Sequence, residues 1–352
     1  MSVRIGVLKL GGIGDLCDLA VLLTGIRRAH KNASITAIID VPVMKKIISK
    51  YADALIVDVK RDWNAIFNME AWKYDIFFDL RPHKGLAFKG DVYKHSRKLI
   101  GNGAYGKPDE RIPVHVTLEH IHAWKHYNSW ETHKLQHEGK SVVQLNAEAI
   151  GIAQHIPNGY DDARYEVPSK GKYTDYITIN TGAMGSERGI KQTKQWEHEN
   201  WQAVVDSLIC DGYKVIHIGR RWEKKLKGCT GYVWNKPLST VMQYLKESKV
   251  HLGVENGIVR LRRLVTDRPS VVLFGPTHPA MYGFENNTNI WTNVCKPCFW
   301  FTGEWMHECA MQWDCLCMKS ITPEMVLSKI YTTFASVSPV RSLAAPRLGV
   351  KD

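Results

Sequence analysis

The sequence predicts an α/β protein built from two Rossmann-like domains that face a cleft. Three observations carry this. Short β-branched runs alternate with stretches of helical spacing, the signature of parallel sheets. The alternation runs twice, on either side of a Pro-, Gly- and charge-rich interruption near 155–172, IPNGYDDARYEVPSKGK. The chain also has 352 residues, more than one hydrophobic core comfortably serves. The expected divisions are an N-terminal Rossmann-like domain over 1–165, a C-terminal one over 166–335, and a loosely held tail over 336–352.

In chain order, VRIGVLKL (3–10) reads as a buried strand. After the GGIGD turn, Leu16, Leu19, Ala20, Leu23 and Ile26 recur at helical spacing. SITAIID (34–40), ALIVDV (54–59) and DIFFDL (75–80) are the next strands. From 81 to 150 the pattern loosens and becomes basic and histidine-rich, which suits either a substrate-facing region or helices joined by loops. The second series opens with YITIN (176–180). Trp201, Val204, Val205, Leu208 and Ile209 then line one helical face, and KVIHIG (214–219) is a strand. A helix at 238–248, the strand VHLGV (250–254), a helix opened by ENG and carrying Leu261 and Leu264, and the strand SVVLFG (270–275) follow. A helix at 323–335 closes the globular part.

A net charge of +12 favours an anionic partner without choosing one. The start, MSVRIGVLKLGG, lacks the apolar core of a secretory leader, and no run reaches the length of a membrane span. A cytoplasmic protein is therefore expected, in which clustered cysteines read as metal ligands or reactive thiols.

Ligands of such folds bind outside the carboxyl ends of the strands. Gly11, Gly12, Gly14 and Asp15 stand where the first strand hands over to the first helix. The GxGxxG dinucleotide pattern is incomplete there, because no glycine closes it. A carboxylate at that helix end would repel a pyrophosphate. Asp15 is therefore either a helix cap or a base able to accept a hydroxyl proton. In the second half, Thr181, Gly182, Gly185 and Ser186 form a small-residue loop followed by Lys191 and Lys194, a suitable cradle for a diphosphate. Glu223, beyond the strand ending at Gly219, either holds a ribose diol or belongs to a solvated charge run. Glu255, Asn256 and Gly257 mark another strand-to-helix junction able to meet an anion. Arg260 and Arg263 share a face beyond it, with Arg262 turned aside. Thr277 and His278 follow the next strand, and one or the other is expected to touch ligand. No Ser–His–Asp order and no HExxH occurs, so the expected machinery is a base on one domain and a phosphate-neutralising surface on the other.

In order and spacing, GGIGD, KQTKQWEHENW, HIG and ENGIVRLRRLVTDRPSVVLFGPTHP resemble the bacterial heptosyltransferase family. These are nucleotide-sugar glycosyltransferases of GT-B architecture. The resemblance runs over most of the chain and implies inverting transfer without a catalytic divalent ion. It puts the catalytic role on Asp15, phosphate contacts on Thr181 and Lys194, and a nucleotide contact on Glu223. The family's Asp–Ser/Thr–Gly segment corresponds to Glu255, Asn256 and Gly257. Two departures stand out: Glu replaces Asp, and Arg260 replaces the family's histidine. With backbone N–H groups, Lys194 and Arg260 are expected to stabilise the departing diphosphate, and an ADP-sugar, ADP-heptose first, is the expected donor.

Five of the eight cysteines fall within CKPCFWFTGEWMHECAMQWDCLC, 295–317. A tetrahedral structural site would use Cys295, Cys298 and Cys309 with either Cys315 or Cys317, and four thiolates accept zinc or iron alike. The family resemblance matches its last cysteine to Cys317. In members that modify autotransporter proteins, the segment resembles an iron-binding motif. The reading is a structural clip. Cys17, Cys210 and Cys229 are isolated thiols.

The acceptor should face Asp15 from the N-terminal domain, where Arg81, His83, Lys84, Arg97, Lys98, His115, His120, His122 and His126 are basic. A lipopolysaccharide core, a secreted protein and, less favoured, modified phage DNA are the acceptors weighed. A homo-oligomer is compatible with the sequence. The rival class is a non-catalytic, metal-stabilised nucleic-acid binder, whose affinity would depend on salt and not on nucleotide sugar.

Overall fold

A computed structural model describes residues 2–57, 74–80, 99–101, 139–168, 174–182, 192–295, 297–298 and 306–337. The first sheet holds β1 (Arg4–Leu8), β2 (Ser34–Ile39), β3 (Ala54–Val57), β4 (Ile76–Asp79) and β5 (Leu99–Gly101). Its order is β3-β2-β1-β4-β5, and every pairing is parallel. Between these strands run α1 (Ile13–Ala29) and α2 (Lys45–Ile48), and α3 (Val142–Ala149) follows. Helix α1 is more than amphipathic. Leu16, Leu19, Ala20, Leu22, Leu23 and Ile26 are all fully buried, because the sheet, α3, the turns after it and the helix Gly257–Val265 of the second half cover most of its circumference. Burial of one such side chain contributes about 1.5–3 kcal/mol. Gly25 lets the chain after α3 close on this helix, since a Cβ there would stand 2.8 Å from Ile152 Cδ1.

The second sheet holds β6 (Thr174–Asn180), β7 (Lys214–Gly219), β8 (Gly231–Trp234), β9 (Ser248–Val254), β10 (Ser270–Leu273) and β11 (Thr288–Ile290). Its order is β11-β10-β9-β6-β7-β8, again wholly parallel. Counted from β6, this is the doubly wound order 3-2-1-4-5-6, whose direction reverses between β6 and β9. In the first sheet the reversal lies between β1 and β4. The helices of this half are α4 (His198–Cys210), α5 (Leu238–Glu247), α6 (Gly257–Val265), α7 (Pro279–Tyr282), α8 (Leu316–Lys319) and α9 (Pro323–Ser336). Trp196 and Trp201 meet edge to face at 4.8 Å in its core, and Trp196 Nε1 donates to the Ile321 carbonyl at 2.9 Å.

The two-domain α/β reading therefore holds, with strands beginning and ending close to the predicted positions. Three strands escaped it: β5, β8 and β11 are edge strands of three or four residues, too short to display a period. Most of the histidine-rich region, including the candidate acceptor residues Arg81 to His126, lies outside the described residues, as do Gly185, Ser186, Lys191 and 338–352. Among the described residues, no helix is long and apolar enough to cross a membrane.

Candidate active site

Asp15 occupies the first turn of α1, where the β1 loop delivers it to the switch point of the first sheet. Gly11 adopts φ +136°, and a Cβ on it would lie 2.4 Å from Asp15 Oδ2, so the turn requires glycine on both counts. Asp15 Oδ2 accepts the Gly12 N–H at 2.8 Å, and Asp40 Oδ1 accepts the Gly11 N–H at 3.2 Å. Asp15 thus does cap its helix. It also stays half-exposed.

At the switch point of the second sheet, the strand ends are tied by asparagines. Asn180 Nδ2 donates to the Ile218 carbonyl at 3.0 Å. Asn256 Nδ2 donates to Asn180 Oδ1 at 2.8 Å and to the Gly182 carbonyl at 2.7 Å. Asn256 Oδ1 meanwhile accepts the Ile258 and Val259 N–H groups and so caps α6. Thr181 and Gly182 follow β6 directly. A Cβ on Gly182 would stand 2.4 Å from Glu223 Oε1, so the Glu223 carboxylate lies against the Gly182 backbone. Thr181, Gly182, Glu223, Asn256 and Gly257 are thus gathered along the carboxyl edge of one sheet.

Glu255 is buried, and its Oε2 takes an ion pair from Lys194 Nζ and a 3.1 Å hydrogen bond from Thr277 Oγ1. Arg260 Nη2 stands 4.0 Å from Oε1. Burial alone would raise this carboxyl, but Lys194, Arg260 and the two hydrogen bonds outweigh it, and its pKa lies below the ordinary range. His278 Nδ1 accepts the Ala280 N–H at 3.1 Å and caps α7.

The three arginines of α6 take separate partners. Arg263 pairs with Asp161. Arg262, which the sequence reading turned aside, is fully buried, and its Nη atoms donate to the carbonyls of Leu245, Ser248, Lys249 and Pro269. Arg260 crosses to the other domain and pairs with Asp18 on α1. Asp18 escaped the sequence reading. The signal was present, as a carboxylate inside the apolar run DLCDLAVLL.

Helices α1 and α6 pack side by side, with the glycines of their first turns in contact. A Cβ on Gly257 would come within 2.8 Å of Gly14 N, and one on Gly14 within 3.2 Å of Gly257 Cα. The Asp15-bearing turn of one sheet is therefore in backbone contact with the helix N-terminus of the other.

The described part of the cysteine segment packs into the core of the second half through Cys315, Cys317 and Met318. Gln312, Asp314 and Cys315 have φ of 57°, 44° and 56°, a left-handed curl that turns the N–H groups of Met311, Trp313 and Cys315 onto the Cys309 sulfur. These donors overcome the effect of burial and hold the Cys309 thiol below its ordinary pKa. Burial pushes Cys298 up to about 11. Cys295 and Cys317 are hydrogen-bonded to each other. As they stand, no three or more His, Cys, Asp or Glu side chains among the described residues are arranged to hold a metal ion. The segment braces the site nonetheless. The Met306 carbonyl accepts the Thr193 N–H at 3.0 Å, His307 Nδ1 is bonded to Gln192 Nε2 at 3.0 Å, and Met318 fills the space beside Gly275. Lys194 thus begins one residue after a segment pinned by the cysteine loop.

No protein-family model matches the sequence, and no curated protein does either. Solved structures do. The glycosyl transferase family 9 structure from Veillonella parvula superposes with a TM-score of 0.66 at 17% identity, over 96% of this chain and 98% of the other. The ADP-heptose lps heptosyltransferase II of E. coli gives 0.64 at 16%, over 95% and 99%. TibC, an iron-containing dodecameric glycosyltransferase from enterotoxigenic E. coli, gives 0.62 at 15%, over 96% and 78%. These likenesses establish the fold as GT-B, two Rossmann-like domains.

Proposed function

We propose that this chain is an inverting glycosyltransferase of the heptosyltransferase type. In this reading it moves a sugar from a nucleotide carrier to an acceptor hydroxyl, with ADP-heptose the first donor to test. The carrying observation is the backbone contact of Gly14 with Gly257, which sets Asp15 of one domain beside the α6 N-terminus of the other. That pairing suits a reaction in which one domain removes a proton and the other receives a leaving diphosphate. The three superposed glycosyltransferases support the reading through their common fold.

In this mechanism Asp15 accepts the proton of the acceptor hydroxyl as its oxygen bonds to the anomeric carbon from the face opposite the diphosphate. The bond from that carbon to the phosphate oxygen breaks, and the electron pair leaves with the nucleoside diphosphate. Lys194 Nζ, the N–H groups at the start of α6 and those of Thr181 and Gly182 meet the growing negative charge. Glu223 holds the ribose diol, and Thr277 fixes Glu255, which in turn orients Lys194 until phosphate shares it. Arg260 adds positive charge beside Glu255. A protein or lipopolysaccharide hydroxyl is the acceptor.

Cys295, Cys298, Cys309 and Cys317 would hold one iron or zinc. Soft thiolates with N–H···S bonds onto Cys309 suit either ion, which would supply folding energy and no reaction step. The iron in TibC favours iron as the first ion to test.

The test is a donor panel of ADP-, UDP-, GDP- and CDP-sugars, scored by nucleoside diphosphate release with and without acceptor. Acceptor-dependent release from one donor class, abolished in Asp15→Ala, is the expected result. No release from any donor, together with salt-dependent DNA binding that Asp15→Ala leaves intact, would instead identify a nucleic-acid binder.

A further inference from the structure

Asp18 lies one turn beyond Asp15 on α1, and it reaches the other domain. Its Oδ2 receives Arg260 Nη1 in an ion pair, and its Oδ1 accepts the Tyr160 hydroxyl at 2.5 Å. Arg260 also stacks over the Tyr282 ring at 4.8 Å, and Tyr160 sits edge-on to Phe284 at 5.0 Å. Asp18, Arg260 and Tyr160 are 4%, 6% and 5% exposed, so the whole arrangement is sealed from water. Removing a carboxylate and a guanidinium from water is costly, and apolar residues of similar volume fill such a space at least as stably. What a buried pair does supply is registration. Arg260 satisfies Asp18 with one arm and approaches Glu255 with the other, while Glu255 binds Lys194. The charges alternate along this line from the helix carrying Asp15 to the lysine of the phosphate site. The pair spans two sheets, so it acts on how the domains sit and not on whether each sheet forms.

We propose that Asp18 is a positioning residue, a clasp that anchors Arg260 across the domain seam and sets the distance from Asp15 to the donor-phosphate site. This rests on the transferase reading. Asp18 touches neither donor nor acceptor. Without its charge, Arg260 keeps Glu255 as its ion-pair partner among the described residues, with Asp15 acting from farther off, the seam loosens, and the base stands off from the anomeric carbon. The groups facing the clasp are Asp15, Cys17 and Lys9 from the first domain, Tyr160 from the connecting segment, and Arg260 with Glu255 behind it.

The experiment compares wild type, Asp18→Asn and the charge-neutral double variant Asp18→Asn/Arg260→Gln. Each is measured by small-angle scattering with and without ADP, by calorimetric ADP affinity, and by kcat and KM for nucleoside diphosphate release. Expected for Asp18→Asn are a larger radius of gyration, an ADP Kd close to wild type, and a kcat reduced about 10- to 100-fold. The double variant, which leaves no buried charge unmatched at the seam, should fold even where the single one does not and should show the same opening; its kcat should fall at least as far, since Arg260 also lends charge beside Glu255, so scattering is its deciding readout. Wild-type scattering in either folded variant, or wild-type kcat in Asp18→Asn, overturns the clasp. If wild type neither binds ADP nor releases a diphosphate, the transferase reading fails, and the scattering comparison still judges the clasp by itself.

Discussion

Gly257→Ala tests the junction of the two domains most directly. The added methyl would lie 2.8 Å from Gly14 N and 3.1 Å from Ile13 Cβ. A relaxed contact needs about 3.6 Å, so the two helix ends must part by roughly 0.8 Å, and the first obstacle is backbone that cannot rotate away. Overpacking of this kind costs about 1–3 kcal/mol. Opposing it, alanine favours a helical position by up to about 1 kcal/mol over glycine, which is the smaller effect. A fall in melting temperature of about 2–6 °C is the consequence. Activity should respond more sharply than stability, because a displacement near 1 Å between reacting groups costs about 100-fold in rate. The assay is nucleoside diphosphate release under saturating donor, with melting followed by differential scanning fluorimetry. Gly151→Ala is the control. Its φ is +75° and nothing lies within 4 Å of its Cβ direction, so it should lose about 1 kcal/mol of stability and no kcat. A Gly257→Ala protein with wild-type kcat would refute the claim that this contact sets the reacting geometry.

Asp15→Asn keeps an oxygen for the Gly12 N–H, so it should fold as wild type while kcat drops about 100- to 10,000-fold, read in the same release assay. Lys194→Ala should cost more stability than a half-buried lysine ordinarily does, because it removes one cation from buried Glu255. Lys194→Ala/Glu255→Gln should recover melting temperature but not turnover. Burial pushes Asp18 up to about 6, with Arg260 and the Tyr160 hydrogen bond opposing. The sign follows: its contribution to stability is fullest below its unfolded value near 3.8 and is lost as pH rises through about 6. Denaturant midpoints from pH 4 to 8 should therefore fall relative to Asp18→Asn, which lacks this titration; parallel profiles would refute it. If the cysteine loop holds a metal, stripping it should lower melting temperature and also weaken ADP binding, since Met306 and His307 pin the residues just before Lys194. Native mass spectrometry and calorimetry read the two effects, and loss of metal without loss of ADP affinity would separate the loop from the donor site.

Much of this protein could be read from its sequence because the features involved are local. Strand and helix periods are set by neighbours a few residues apart, so β1, α1, β6, β7, β9 and α6 fell where the patterns put them. Glycines at the strand ends marked the loops where ligands of this fold bind, and Asp15, Thr181, Gly182, Glu255, Asn256 and Gly257 stand there. The cysteine run was equally plain. Tertiary structure alone decided the partners. Arg260 and Asp18 lie 242 positions apart and Lys194 and Glu255 61. Nothing in Arg260, Arg262 and Arg263 announces that one crosses the domain seam, one staples carbonyls in the interior and one pairs at the surface. A side chain's charge is written in the sequence, but the opposite charge that meets it, and the water excluded around the two, exist only once both sheets have formed and closed on each other.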